Sequence, residues 1–349
     1  MSVIKTAFGK NKKGEAVSLY TIDKGEVRIS VSDLGATLVS FFAPDKNGRL
    51  DDILLGFDSA EEYIELTDYQ GAIAGPYANR IGGGRFSLDG EIIRLVCNEN
   101  GKTCLHSNGE YTFALWQAEV IGESSVCFSL KTADGLNGFP GNITTTVTYS
   151  LLEGGVLDIA YKSVSSKKTV LNPTNHAYFN LAGYQSDSIL EHMLMINAHS
   201  FTPVDCDSIP TGELRSVEGT PFDFTQALPI GLNIDADCEQ LKFTGGYDHN
   251  FCIDGYDGLE LQLAAVVTEA QSGRRLTVKT NLPGVQFYAG NFLKGTKGKG
   301  GIPMEYRSGF CLETQFYPDS PNHANFPSCV FDAGEVYESR TQYIVDLIG

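Results

Sequence analysis

Basic residues are scarce in this chain. Lys and Arg total 26 against 43 Asp and Glu, a formal net charge of −17 over 349 residues. An acidic surface repels nucleic acid and anionic lipid, so neither is an expected partner. Long apolar runs are missing as well. None approaches the roughly 18 residues of a membrane helix. No apolar segment follows the polar start Met1-Ser2-Val3-Ile4-Lys5, so no signal peptide is expected and the expected location is cytoplasmic. The eight cysteines, at 97, 104, 127, 206, 238, 252, 311 and 329, never fall in Cys-x-x-Cys spacing. They are expected to be free thiols, without disulfide or structural metal. The six histidines form no His-Glu-x-x-His pair. Gly290 and Gly295 have P-loop spacing, but Thr296 stands where that motif requires Lys. No cofactor is expected.

What is present is strand. Hydrophobic content is 42% and charged content 20%, too apolar for a disordered chain. Ile143, Thr145, Val147, Tyr149 and Leu151 alternate with polar neighbours, and so do Leu157, Ile159 and Tyr161. Leu152-Glu153-Gly154-Gly155 between them predicts a hairpin. Val126-Leu130, Val27-Val31, Ala36-Phe42 and Leu276-Val278 read as further strands, and Asp45-Lys46-Asn47-Gly48 as a turn. Helical spacing is rare. Ser59 reads as the N-cap of a short helix through Tyr63. No alternation of strand and long helix occurs, which excludes a parallel βαβ sheet. The expected fold is all-β, a large antiparallel β-sandwich forming a single domain over residues 1–349.

Four segments crowd polar residues into strand-forming sequence: Gly75–Ile81, Asn172–Leu181, Gly246–Phe251 and Gly309–Gln315. Each sets an ionisable group among aromatics and amides. Sugar sites use this mixture, because amides, Arg and carboxylates bond hydroxyls while rings cover C–H faces. Pattern alone leaves alternatives open. Alternation can also point Glu313 at water, His176 can be a core histidine, Arg80 and Asp248 can form a structural ion pair, and His106 can be a turn residue.

These segments resemble the aldose 1-epimerase (galactose mutarotase) family. Tyr77-Ala78-Asn79-Arg80-Ile81 is similar to its YANRI segment, and Thr174-Asn175-His176 with Tyr178-Phe179-Asn180-Leu181 to its TNHxYFNL segment. Pro210-Thr211-Gly212-Glu213, Gly219-Thr220-Pro221-Phe222-Asp223-Phe224, Tyr247-Asp248-His249-Asn250-Phe251, Pro283–Tyr288 and Cys311-Leu312-Glu313-Thr314-Gln315 continue the match in order. The match runs from about Val27 to about Tyr343. The resemblance implies a sandwich of the galactose mutarotase-like type, His176 as acid and Glu313 as base. It also implies Asn79, Arg80, His106, Tyr178, Asp248 and Gln286 around a free hexose, in a monomer or homodimer without cofactor. Two departures bear on sugar preference: Ser107-Asn108 where members often carry Gly-Gly, and Pro76 where many carry Arg.

Two groups suffice for anomer exchange. A carboxylate takes the proton of the C1 hydroxyl while an imidazolium protonates the ring oxygen; reclosure reverses both transfers. Ordinary Glu and His values predict a working range of roughly pH 5–6.5, which a neighbouring carboxylate widens upward by raising His176. The expected geometry sets His176 and Glu313 several ångströms apart, with room for a sugar ring between. Three rivals are a non-catalytic or regulatory sugar-binding protein of the same fold, a glycosidase using Asp248 and Glu313, and an enzyme of phosphorylated hexoses, for which Arg80 is the sole basic candidate.

Overall fold

The computed structural model describes residues 3–66 and 68–349. Its period-two segments are extended chain and pair antiparallel. The largest sheet has nine strands. Their order is Gln117–Ile121, Ser125–Thr132, Ile143–Leu152, Val156–Ser165, Val336–Leu347, Arg274–Thr280, Gln262–Thr268, Met193–Ile196 and Leu228–Pro229. The hairpin forms as its sequence predicts, with Leu151 opposite Leu157. Ile143, Thr145, Val147, Tyr149 and Leu151 are all buried, because alternation turns one face of the strand inward.

A five-stranded sheet runs from Ile4–Lys10 through Ala16–Asp23, Arg28–Ser32 and Thr37–Pro44 to Leu50–Asp52. Its last turn is held by Asp45, whose Oδ1 accepts the amides of Asn47 and Arg49. Two α-helices, Ala60–Glu65 and Glu239–Thr244, have six residues each. The first starts where the capping pattern places it: Ser59 Oγ accepts from the Glu62 amide at 3.4 Å. Among the described residues no helix is long and apolar enough to cross a membrane. All eight cysteines are unpaired.

A second five-stranded sheet carries the chemistry. Its order is Arg215–Ser216, Ser200–Thr202, Asp248–Cys252, Gly284–Tyr288 and Cys311–Gln315. Glu313 lies opposite Gln286, which lies opposite Asn250; Cys311 lies opposite Tyr288, which lies opposite Asp248. Cross-strand neighbours share a face. One face is therefore polar, with Cys311, Glu313, Gln286, Tyr288, Asp248 and Asn250. The other presents Leu312, Phe287, Val285 and Phe251, which join one buried apolar cluster with Phe128 and Tyr149 of the nine-stranded sheet and Ile29 and Phe41 of the N-terminal sheet. Each such large side chain contributes about 1.5–3 kcal/mol on burial. The sandwich is thus an apolar layer backing a polar sheet face.

Hydrogen bonds fix the site strand to its surroundings. Tyr343 Oη donates to the Leu312 carbonyl at 3.0 Å, and Thr174 Oγ1 to the Thr314 carbonyl at 2.8 Å. The Phe316 amide donates to Asn172 Oδ1 at 2.7 Å. Thr174 and Asn172 thereby lock the His176 segment onto the backbone around Glu313, each bond adding about 1 kcal/mol. The crowding of amides and hydroxyls in Asn172–Leu181 is a set of such buried clamps.

Candidate active site

Residues from all four crowded segments line one cavity of about 480 Å³, within the usual range for small-molecule sites. Asn79, Arg80, His106, His176, Tyr178, Asp248 and Glu313 are on its wall. Gln286 stands one layer back: its amide donates to Asp248 Oδ1 at 2.7 Å, and its Oε1 accepts from Gln315 at 3.3 Å. The expectation that Gln286 lines the cavity is corrected to this placement, because Asp248 takes up its amide group.

Glu313 is 2% exposed, so alternation turns it into the cavity and not to open water. Its Oε1 lies 3.6 Å from His176 Nε2, and its Oε2 is buried without a hydrogen-bond partner. His176 is held as a ring in a slot. Tyr178 stacks on it at 5.1 Å and 19°, Tyr69 at 6.0 Å and 24°, and His106 meets it edge-on at 5.1 Å. Its Nδ1 is 3.5 Å from Cys311 Sγ. Only Nε2 is left to face Glu313. A gap of 3.6 Å corrects the expectation of a sugar ring between the two groups. O1 and O5 are both bonded to C1, so an acid and a base side by side reach both oxygens from one edge of the sugar.

Sequence reading missed Glu99. Arg80 donates from Nε to Glu99 Oε2 at 2.9 Å and from Nη2 to Oε1 at 2.8 Å, a bidentate pair. Its remaining nitrogen, Nη1, is 3.7 Å from Asp248 Oδ2. Arg80 and Asp248 are therefore both an ion pair and part of the wall. Glu99, in Asn98-Glu99-Asn100-Gly101, reads as a solvated turn, and the one signal for it was Arg80's need of a partner. Tyr69, Tyr288 and Phe292 on the wall were also missed; Tyr69 and Phe292 lie in loops, where an aromatic residue carries no periodic signal, and Tyr288 ends the strand Gly284–Tyr288.

His106 has φ 48°, Ser107 51° and Asn108 58°. Glycine adopts this left-handed region without strain, which is the physical sense of Gly-Gly in relatives. Ser107 offsets its strain locally: Oγ accepts the Tyr77 amide at 2.9 Å and donates to the Tyr77 carbonyl at 2.8 Å. This pins the segment leading into Asn79-Arg80, so the departure supports the site. His106 Nδ1 accepts the Asn79 amide at 3.1 Å. The other nitrogen consequently carries the hydrogen, and His106 is a neutral donor. A ring nitrogen of each histidine and a Glu313 oxygen lie within 4.8 Å of one another. The tautomer of His106 removes its lone pair from that trio, leaving two ligands where catalytic zinc uses three.

Burial dominates the protonation states. It lowers His176 from 6.5 to about 4, and lowers His106 well below 6.5, with His176 and Arg80 adding to the effect. It raises Glu313 well above 4.5, reinforced by Asp248 and opposed by Arg80. Asp248 is raised as well, by burial, against Arg80 and Gln286. The expectation that a carboxylate raises His176 is thus overturned. Loss of solvent is the dominant cause at His176, and the same burial raises Glu313. Burial thus favours the uncharged form of both members of the pair.

A family model described as aldose 1-epimerase matches residues 18–344. The chain belongs to the aldose 1-epimerase family. This epimerase is 40% identical to galactose mutarotase of Bos taurus, over 98% of both chains. It is 40% identical to aldose 1-epimerase of Escherichia coli K12, over 95% of both. Among solved structures it superimposes on galactose 1-epimerase of Lactobacillus acidophilus with TM-score 0.86 and 26% identity, covering 100% of both chains. It is accordingly a mutarotase, an isomerase acting on a sugar.

Proposed function

We propose that the protein interconverts the α and β anomers of free, uncharged hexoses such as galactose and glucose, with Glu313 and His176 exchanging protons with O1 and O5. The observation that carries this reading is the 3.6 Å juxtaposition of Glu313 Oε1 and His176 Nε2 at a cavity wall, with Glu313 Oε2 unpaired. The working form has Glu313 as carboxylate and His176 as imidazolium. Together the two carry one transferable proton, and a proton can pass directly between such close neighbours. Sugar hydroxyls donating to Glu313 replace the solvent it lost and favour the charged form. The carboxylate then takes the O1 proton as Nε2 protonates O5 and the C1–O5 bond opens. Rotation about C1–C2 and the reverse transfers close the other anomer.

Arg80 and Asp248 hold the remaining hydroxyls, with Asn79, Tyr178 and the neutral donor His106, and keep the open chain in place. Gln286 supports this by orienting Asp248. Among the described residues, Asp68, Glu99, Asp207, Asp248 and Glu313 line the cavity against the guanidinium of Arg80. A phosphate would meet repulsion there, which favours the uncharged sugar.

Polarimetry over free and phosphorylated hexoses tests the reading. Acceleration of galactose or glucose mutarotation is expected, with hexose 6-phosphates far slower. A protein that binds hexose without accelerating its mutarotation would be the sugar-binding alternative instead. Within the same assay, Arg80→Lys keeps the charge and loses the fork to Glu99. The expected effect is a KM raised by the order of tenfold, the worth of one charge-assisted hydrogen bond. Wild-type KM and kcat in that variant would remove Arg80 from substrate binding.

A further inference from the structure

Among the described residues Arg80 is the one guanidinium on the cavity wall, and the protein itself supplies the carboxylate that fills its fork. Glu99 takes Nε and Nη2 in the planar, two-point geometry that a guanidinium offers to any carboxylate. Glu99 side-chain exposure is 24% and that of Arg80 12%, so the pair faces the cavity and is only partly covered. The Glu99 backbone is fixed as well. Its carbonyl accepts the amides of Lys102 at 3.0 Å and Thr103 at 3.1 Å, and its amide donates to the Thr103 carbonyl at 3.1 Å, a closed turn. The Asn98 side chain ties that turn back to Leu105, accepting its amide at 2.8 Å and donating to its carbonyl at 3.0 Å. Leu105 pairs directly with Arg80. The carboxylate is therefore held against the guanidinium by two independent anchors.

From this geometry we infer that Glu99 determines specificity: its carboxylate occupies the guanidinium fork that a sugar carboxylate would otherwise use, and so excludes hexuronic acids from the site. The inference rests on the anomer-exchange reading only for its catalytic readout. A hexuronate differs from the hexose in carrying a carboxylate at C6. In the wild-type cavity that group finds both nitrogens of the Nε–Nη2 fork taken by Glu99 and the third nitrogen turned to Asp248. It also meets the negative charge of Glu99 itself. Without Glu99, the same guanidinium is an open bidentate receptor.

The test compares galactose with galacturonate in wild type, Glu99→Gln and Glu99→Ala, by calorimetric Kd and by anomer-exchange rate. Glu99→Gln keeps the shape and removes the charge; Glu99→Ala opens the fork fully. In wild type, galacturonate is expected to bind at least about tenfold more weakly than galactose. In the variants the ratio of galacturonate to galactose affinity is expected to rise by about tenfold or more, the worth of a charge-assisted contact. Adding Arg80→Met to Glu99→Ala is expected to abolish that gain. An unchanged ratio in both single variants, or a gain that survives Arg80→Met, would overturn the role of Glu99. So would a wild type that binds both sugars equally. A wild type that exchanges no hexose would contradict the proposed function, and the Kd ratios would still decide on Glu99.

Discussion

Glu313→Gln is expected to lower kcat for hexose mutarotation by at least about 10²-fold, and His176→Asn by a similar factor. Gln preserves the size and polar contacts of Glu313 but neither takes nor carries a transferable proton. Asn removes the imidazole while keeping a polar side chain against Cys311. The double variant is expected to lose less than the product of the two factors. Either change alone already breaks the proton exchange across the 3.6 Å gap, so the second removes little more. KM should move less than kcat, because Arg80, Asp248, Asn79 and His106 remain to hold the sugar. Stopped polarimetry on purified variants gives all four numbers. Near-normal kcat in Glu313→Gln would remove this carboxylate from the chemistry.

The same substitution is expected to stabilise the protein, increasingly so as pH rises. Glu313 is buried with its acid form favoured well above 4.5. Between 4.5 and its folded value the native state binds more protons at this site than the unfolded chain does. Native stability therefore falls with rising pH across that interval, by about 1.4 kcal/mol for each pH unit for one full proton. Gln has no such term. The Tm advantage of Glu313→Gln should consequently grow by about 2 °C per pH unit above pH 5 and level off above the folded value of Glu313. His176, lowered to about 4, contributes with the opposite sign between about pH 4 and 6.5, where stability rises with pH. That contribution is present in both proteins and largely cancels in the difference. Paired thermal melts from pH 5 to 8 check this. A pH-independent difference would mean that Glu313 is ionised and solvated in the folded protein. An active site that is less stable than its inert variant is the ordinary consequence of burying a proton carrier.

Chain periodicity carried most of the architecture. Alternation at Ile143–Leu151 and Leu157–Tyr161 predicted both strands and their buried faces, since a period of two has one meaning when one face meets an apolar layer. Ser59 and its acidic first turn predicted the helix at Ala60. The resemblance brought His176 and Glu313, 137 positions apart, to one cavity. Three things were out of reach. Glu99 sits in a polar turn, where a carboxylate reads as solvated; only its register against Arg80 reveals it. Gln286 shares the polar sheet face with Glu313 and Asp248, and nothing in a strand pattern says that its amide turns to Asp248 and away from the cavity. The directions of the His176 and Glu313 shifts depend on how completely the slot of Tyr69, Tyr178 and His106 removes water. Neighbouring charge can be read from motifs, whereas burial of this depth belongs to the assembled fold.

Two-dimensional exchange NMR of galactose at equilibrium, with wild-type protein in H₂¹⁸O, reads anomer exchange and the bond that breaks in one sample. Ring opening by Glu313 and His176 predicts enhanced cross-peaks between the α and β anomeric protons, their loss in Glu313→Gln, and no ¹⁸O entry at C1 beyond the uncatalysed rate, because C1–O5 and not C1–O1 is broken. Exchange cross-peaks no stronger than in buffer, or ¹⁸O entering C1 in step with anomer exchange, would contradict it.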